Sequence, residues 1–273
     1  MLRKLLKHEY RATFLPMVII CAVLAVFPII EGIFMIFYDG SEQRDLLIVG
    51  YLLALITNIM LISAAITVVY VLIGVRFYSH IYGHQGYLTL MLPVSRSKLH
   101  LSKYIVSMTW LVVCSVVGFT GIIWPPFCLK IDGDTIWLGL SEIFSEMTST
   151  DVFHLIVNII LILVLVAISN LSMISSLYCS ASLGQLFRKR RILASALIFF
   201  GIYSVQHILN RIVSTMIMFT DIFMNIKIVT TPDFNMFNEP MLYFIITTAI
   251  SLVFLITQYI ITDRILKKKI NLQ

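Results

Sequence analysis

The chain has 273 residues, 59% of them hydrophobic and only 12% charged, against roughly a quarter charged in ordinary soluble domains. Mean hydropathy is +0.96. So few charges cannot cover a water-facing surface around one core, which excludes a disordered tail, a basic nucleic-acid binder and a secreted disulfide scaffold. The four cysteines, Cys21, Cys114, Cys128 and Cys179, stand singly and form neither a disulfide framework nor a zinc pattern. The composition is that of an all-α integral membrane protein.

A helix needs about 20 mostly apolar residues to cross a bilayer, and six stretches qualify. Residues 1–13 come first, with Leu2, Leu5, Leu6 and Tyr10 set against Arg3, Lys4, Lys7 and Arg11. That spacing predicts a short amphipathic helix on the inner membrane surface; a basic topology anchor is the plainer alternative. Span one is Phe14 to Tyr38, interrupted by Pro16, Pro28 and Glu31. Span two runs from Leu46 to Val75. After the 76–103 loop, span three covers Tyr104 to Trp124, and a longer loop occupies 125–151. Span four is Val152 to about Ser180, span five about Ile192 to Leu209, and span six Met241 to Thr262. A longer reading joins Ile192 to Ile226 into one span, but Arg211 interrupts it; the preferred reading ends the helix near Asn210 and follows it with an apolar segment within 212–240 that re-enters the membrane from outside.

Sixteen of the 20 Lys and Arg residues fall on one side of this six-span layout, in the N-terminal segment, the 76–103 loop, the 188–191 run and the tail. Only Glu9 and Asp263 among the 14 acids join them. The positive-inside rule makes that side cytoplasmic and places both termini there. The net +6 and the pI of about 9.1 are thus an orientation signal and imply no nucleic-acid partner. No linker or repeat divides residues 1–273, so one membrane domain is expected, multi-pass in the cell membrane.

The most informative stretch is the inner loop RFYSHIYGHQGYLTLMLPVSRSKLHLSK, residues 76–103. Gly83 and Gly86 permit a sharp change of direction. Tyr87, Leu88, Leu90, Met91 and Leu92 supply an apolar knob, Pro93 ends it, and Ser95 is placed to cap the helix that follows. Such a knob between two long helices suits the transfer of force from a soluble partner; a loop folded back on its own bundle is the other reading. The run Gly86-Tyr87-Leu88-Thr89, then Leu92-Pro93-Val94-Ser95 and Ser102-Lys103, resembles bacterial ABC-2-type transporter permeases, especially small stand-alone ones common in Firmicutes. The layout of the whole chain is similar to theirs as well. The resemblance implies a membrane subunit that pairs with a second permease chain and with ABC ATP-binding subunits. Its coupling loop would use Gly83, Gly86, Tyr87, Leu88, Leu92, Pro93 and Ser95. It also implies export of a drug, peptide or lipid-like substrate. In such permeases an acidic residue often precedes the Gly-Tyr pair; here Gln85 stands there, so that charge is missing.

The chain carries no cofactor motif of its own. None of its 12 glycines is followed by Lys, so the phosphate-binding GxxxxGK[ST] loop is absent, and ATP and Mg are expected in the partner subunit. His80 and His84 lack a third ligand at metal spacing, and no acid, base and nucleophile assemble, so an enzyme is not expected. Polar residues within the spans each invite a reason, because an ionised group at the bilayer centre costs about 2.5–3.5 kcal/mol on insertion scales. Glu31 and Arg211 would lower that cost by pairing, by snorkelling to the outer headgroups, or by meeting substrate. Asn58, Asn170 and Gln206, with Asn158, His207, Asn210 and Gln258, are candidates for interhelical hydrogen bonds or a polar path. Ser172, Ser176, Ser180 and Gly184 recur every four residues and predict a close-packing helix face. A secondary carrier or channel is the main rival function, and a membrane-embedded enzyme the third.

Overall fold

The computed structural model describes residues 2–37, 44–83, 86, 95–128, 149–187, 190–227 and 239–268. These residues form six helices and no strand: α1 (Leu2–Phe37), α2 (Arg44–Ile81), α3 (Arg96–Cys128), α4 (Ser149–Gly184), α5 (Arg191–Lys227) and α6 (Glu239–Lys268). All six are long and apolar enough to cross a membrane, and the chain is a multi-pass membrane protein. Their outward faces are apolar; Leu15, Phe34, Leu163, Ile192 and Leu197 stand exposed, as lipid-facing side chains must.

Two helices run through points where the sequence predicts a boundary. Residues 2–13 are the first turns of α1 itself, continuous with the span. Arg3, Lys4, Lys7 and Arg11 lie on its exposed side, while Glu9 and Thr13 are buried. The helix then continues through Pro16 and Pro28. A proline removes the N–H that would bond the carbonyl four residues back. At Pro16 that carbonyl belongs to Ala12, and the Arg76 guanidinium of α2 takes it at 2.9 Å. The second case is α5, which is unbroken from Arg191 to Lys227, so the break expected at Arg211 is absent. Arginine is a good helix former. Interrupting the backbone at membrane depth would leave amides and carbonyls unpaired at several kcal/mol each. One exposed guanidinium on a helix surface costs less. The 228–238 part of the expected 212–240 segment and most of the 125–151 loop lie outside the described residues.

The chain divides into two compact units. The first is Met1–Arg76 with Ser97–Glu142, built on α1, most of α2 and nearly all of α3; the second is Phe77–Arg96 with Ile143–Gln273, built on α4, α5 and α6. In the first unit, Trp110 of α3 lies against Tyr10 and Phe14 of α1, with ring centroids 6.4 and 6.2 Å apart. Its indole donates to Thr13 Oγ1 at 2.9 Å. Tyr10 and Thr109 share a hydroxyl hydrogen bond, and the Cys21 and Cys114 sulfurs sit 3.4 Å apart as free thiols.

In the second unit α4 packs on both α5 and α6. The four-residue row of small side chains on α4 is buried throughout. At its end α5 comes so near that a Cβ on Gly184 would lie 2.8 Å from Ser195 Cα. Further along, Gln206 of α5 donates to Ser172 Oγ at 3.2 Å. Gly184→Val therefore forces α5 off α4 and lowers the melting temperature in detergent, at about 1–3 kcal/mol for overpacking. Gly201→Val, on the open side of α5 where nothing lies within 4 Å, leaves it unchanged.

Candidate functional site

The 76–103 loop is held at both roots. α2 runs on to Ile81, and its last turns belong to the second unit. There Phe77 stacks on Tyr178 of α4 with centroids 3.9 Å apart. Tyr82 donates its phenol proton to Ser182 Oγ at 2.9 Å. Burial pushes the Tyr82 hydroxyl up to about 12, with the Cys179 thiol raising it further and the Ser182 hydrogen bond opposing. Tyr82 thus remains a neutral donor across the physiological range.

The chain turns tightly after Tyr82. The amides of Tyr82 and Gly83 both return to the Tyr78 carbonyl, and the Gly86 amide bonds the Gly83 carbonyl at 2.8 Å. A Cβ on Gly83 would lie 2.7 Å from the Ser79 oxygen, and one on Gly86 2.8 Å from the Ile81 carbonyl carbon. Both positions therefore need glycine for close backbone approach rather than for an unusual φ. Ser95 is exposed and immediately precedes α3. Next to it, Arg96 donates to the carbonyls of Leu266 at 2.6 Å and Lys267 at 3.2 Å. Those carbonyls end α6 without intrahelical partners, and a cation is favoured there. Tyr87, Leu88, Leu92 and Pro93 lie outside the described residues.

A second cluster lies within the first unit. Glu9 of α1 is 8% exposed and Lys103 of α3 is 4% exposed. Lys103 Nζ donates to Glu9 Oε1 at 2.6 Å, and Arg76 Nε approaches Glu9 Oε2 at 3.4 Å. Sequence reasoning counts these three as inner-side charges and misses the cluster. The available signal was that Glu9 is the one acid among the four cations of the first 13 residues.

The intramembrane polar candidates separate between the units. In the first, the Glu31 carboxylate accepts from Thr57 at 2.8 Å and from the Asn58 amide, which also donates to the Ala54 carbonyl at 2.8 Å. Two neutral donors thus occupy the carboxylate for which the sequence offers Arg211. Arg211 belongs to the second unit and lines a groove of about 530 Å³ along α5 with His207, Ile208, Ile212, Thr215, Met216 and Phe219. Asn170 is half-buried on α4, and Gln206 is held by Ser172. His80 is half-buried on α2, and His84 lies outside the described residues.

Comparison of the chain with protein-family models, curated proteins and solved structures returns no match.

The Glu9 cluster makes a direct prediction. Glu9→Gln leaves the buried Lys103 and the half-buried Arg76 without their anion, and breaking a buried pair from one side costs about 3–5 kcal/mol. Thermal unfolding in detergent should show a matching loss. Glu9→Gln combined with Lys103→Met should recover most of it, and equal losses in the single and double variants would deny the pairing its role.

Proposed function

We propose that this chain is the membrane subunit of an ATP-driven ABC-2-type transporter in the cytoplasmic membrane. Both termini and the 76–103 loop face the cytoplasm. A second permease chain completes the translocation unit, and separate ATP-binding subunits hold ATP and Mg. The substrate class implied by the resemblance is a drug, peptide or lipid-like molecule moved outward.

The observation that carries this reading is the anchoring of the 76–103 loop. The chain leaves the first unit after Arg76 and returns to it at Ser97, and everything between belongs to the second unit. That segment enters through the Phe77–Tyr178 stack and leaves through Arg96 on the carbonyls of α6. A push on the knob would therefore reach α4 through an aromatic face and α6 through its C-terminus. A slack connector would spend the same push on its own bending. The basic residues around the loop add charge complementarity to the inner leaflet, and the Gly-Tyr-Leu-Thr and Leu-Pro-Val-Ser runs fall in the sequence between these two anchors.

Purification of the chain from its native membrane in mild detergent should recover a Walker-motif ATPase in stoichiometric amount. Recovery of the chain alone, under conditions that preserve other membrane complexes, would refute the exporter and favour an autonomous carrier or channel. A narrower test targets the loop. Gly86→Trp collides with the Ile81 carbonyl and should abolish stimulation of ATP turnover by substrate while the protein still inserts and binds its ATPase. Normal stimulation in this variant would remove the loop from the mechanism.

A further inference from the structure

The seam between α4 and α6 contains a buried group with no hydrogen-bond partner among the described residues. Hydroxyls along this seam find carbonyl partners: Ser175 of α4 donates to the Leu255 carbonyl of α6 at 3.4 Å, and Thr262 to the Gln258 carbonyl of its own helix at 2.8 Å. Such side chains let two helices approach closely in lipid at little cost. Gln258 is different. It is 4% exposed, and neither its Oε1 nor its Nε2 has a hydrogen-bond partner among the described residues.

Its position follows from its neighbours on α6. On one side, the Leu255 carbonyl accepts from Ser175 of α4 at 3.4 Å. On the other, the Thr262 hydroxyl lies against the Cys179 thiol of α4. Ser175 and Cys179 are one helical turn apart, as Gln258 and Thr262 are, so the amide lies on the seam between these two contacts. It also lies four residues before Thr262, the inner end of span six, about 6 Å along the helix axis, and so within the apolar part of the helix. A primary amide left unpaired at that depth is unfavourable, and leucine would pack there without that penalty.

We propose that the α4–α6 seam at Gln258 is a binding site for a neutral group that donates and accepts hydrogen bonds side by side, namely water or the hydroxyl or amide of a polar solute. The chemistry selects this class. A bare cation would use only Oε1, and an anion only Nε2, whereas both atoms are open. Gln258, Ser175, Cys179 and Thr262, which define the site, carry no formal charge. Asp263 and Lys267, further along α6, neutralise each other at 2.5 Å. The site requires only that the chain span a membrane. If the transporter reading holds, it supplies a contact for the hydrogen-bonding part of the substrate.

Cys179, about one turn from Gln258, is a native reporter. The full-length chain with Cys21, Cys114 and Cys128 changed to Ala, reconstituted in liposomes, is treated in parallel with iodoacetamide and with ethyl iodoacetate. Both alkylate thiols and differ in the amide against the ester. Iodoacetamide should modify Cys179 at least about tenfold faster, and Gln258→Leu or Gln258→Met should remove that preference without slowing the ester. Protection by unreactive acetamide identifies a site for amide solutes, and amide-selective labelling without protection identifies bound water; both carry the proposal. An ester rate equal to or above that of the amide, or a preference unchanged by Gln258→Leu, overturns it. So does a fall of several degrees in the melting temperature of both Gln258 variants, since the protein itself would then be holding the amide. None of these readouts depends on an ATPase partner, so their failure is separable from failure of the transporter reading.

Discussion

Glu9 is the constraint on which the first unit depends. One carboxylate receives Lys103 from α3 and Arg76 from α2, so three helices meet at a single buried anion. Their apolar faces alone would not fix this arrangement, because lipid tails are as apolar as the side chains and supply no drive for helices to associate. A buried ion pair does not add much stability over a well-packed apolar core, but breaking it from one side is severe. It thereby selects one register among many that would bury similar area. Pro16 contributes to the same end. By lacking an amide it frees the Ala12 carbonyl, and Arg76 holds that carbonyl together with the Glu9 carboxylate.

Arg76 is also the last residue of the first unit before the chain passes to the second. Its side chain is fixed to α1, and the next residue, Phe77, is stacked on Tyr178 of α4. Twenty positions later the crossing is reversed, where Arg96 caps α6 and Lys103 returns to Glu9. The anchored loop and the buried ion cluster are therefore consecutive along the backbone. A displacement of the loop has to be absorbed by the aromatic stack, by the cap on α6, or by the ion cluster, and each has defined partners.

Buried polar groups are met in several ways in the two units. In the first, Thr13 meets Trp110, Tyr10 meets Thr109, and Glu31 is filled by Thr57 and Asn58. A network of this kind, satisfied within itself, rigidifies the helices it joins. In the second, Ser176 and Thr262 fold back on their own helices, Gln206 is met by Ser172, and Gln258 is met by nothing described. A polar group unmet by protein in a membrane interior is where water or a ligand can enter with a net gain.

Span number and the segments that carry the basic residues were legible in the sequence because both depend on short-range facts. An apolar run of 20 residues must be helical in lipid wherever it sits, and charge is counted residue by residue. The close-packing character of Ser172, Ser176, Ser180 and Gly184 was legible from a four-residue period, and the glycines of the loop from their lack of Cβ. Arg211 misled because its charge is visible in the sequence while the cost of breaking the backbone beside it is not. Glu9 and Lys103 lie 94 positions apart, and no local pattern says that one meets the other. Gln258 could be named as a polar residue in a span, one of several, but whether its amide is paired depends on side chains of another helix. The sequence by itself thus determined which segments are helices suited to cross a membrane and which loops carry the basic charge. The tertiary structure decided which buried polar groups satisfy one another and which are left open, because a hydrogen bond requires two partners brought to within about 3 Å, and that distance belongs to the fold.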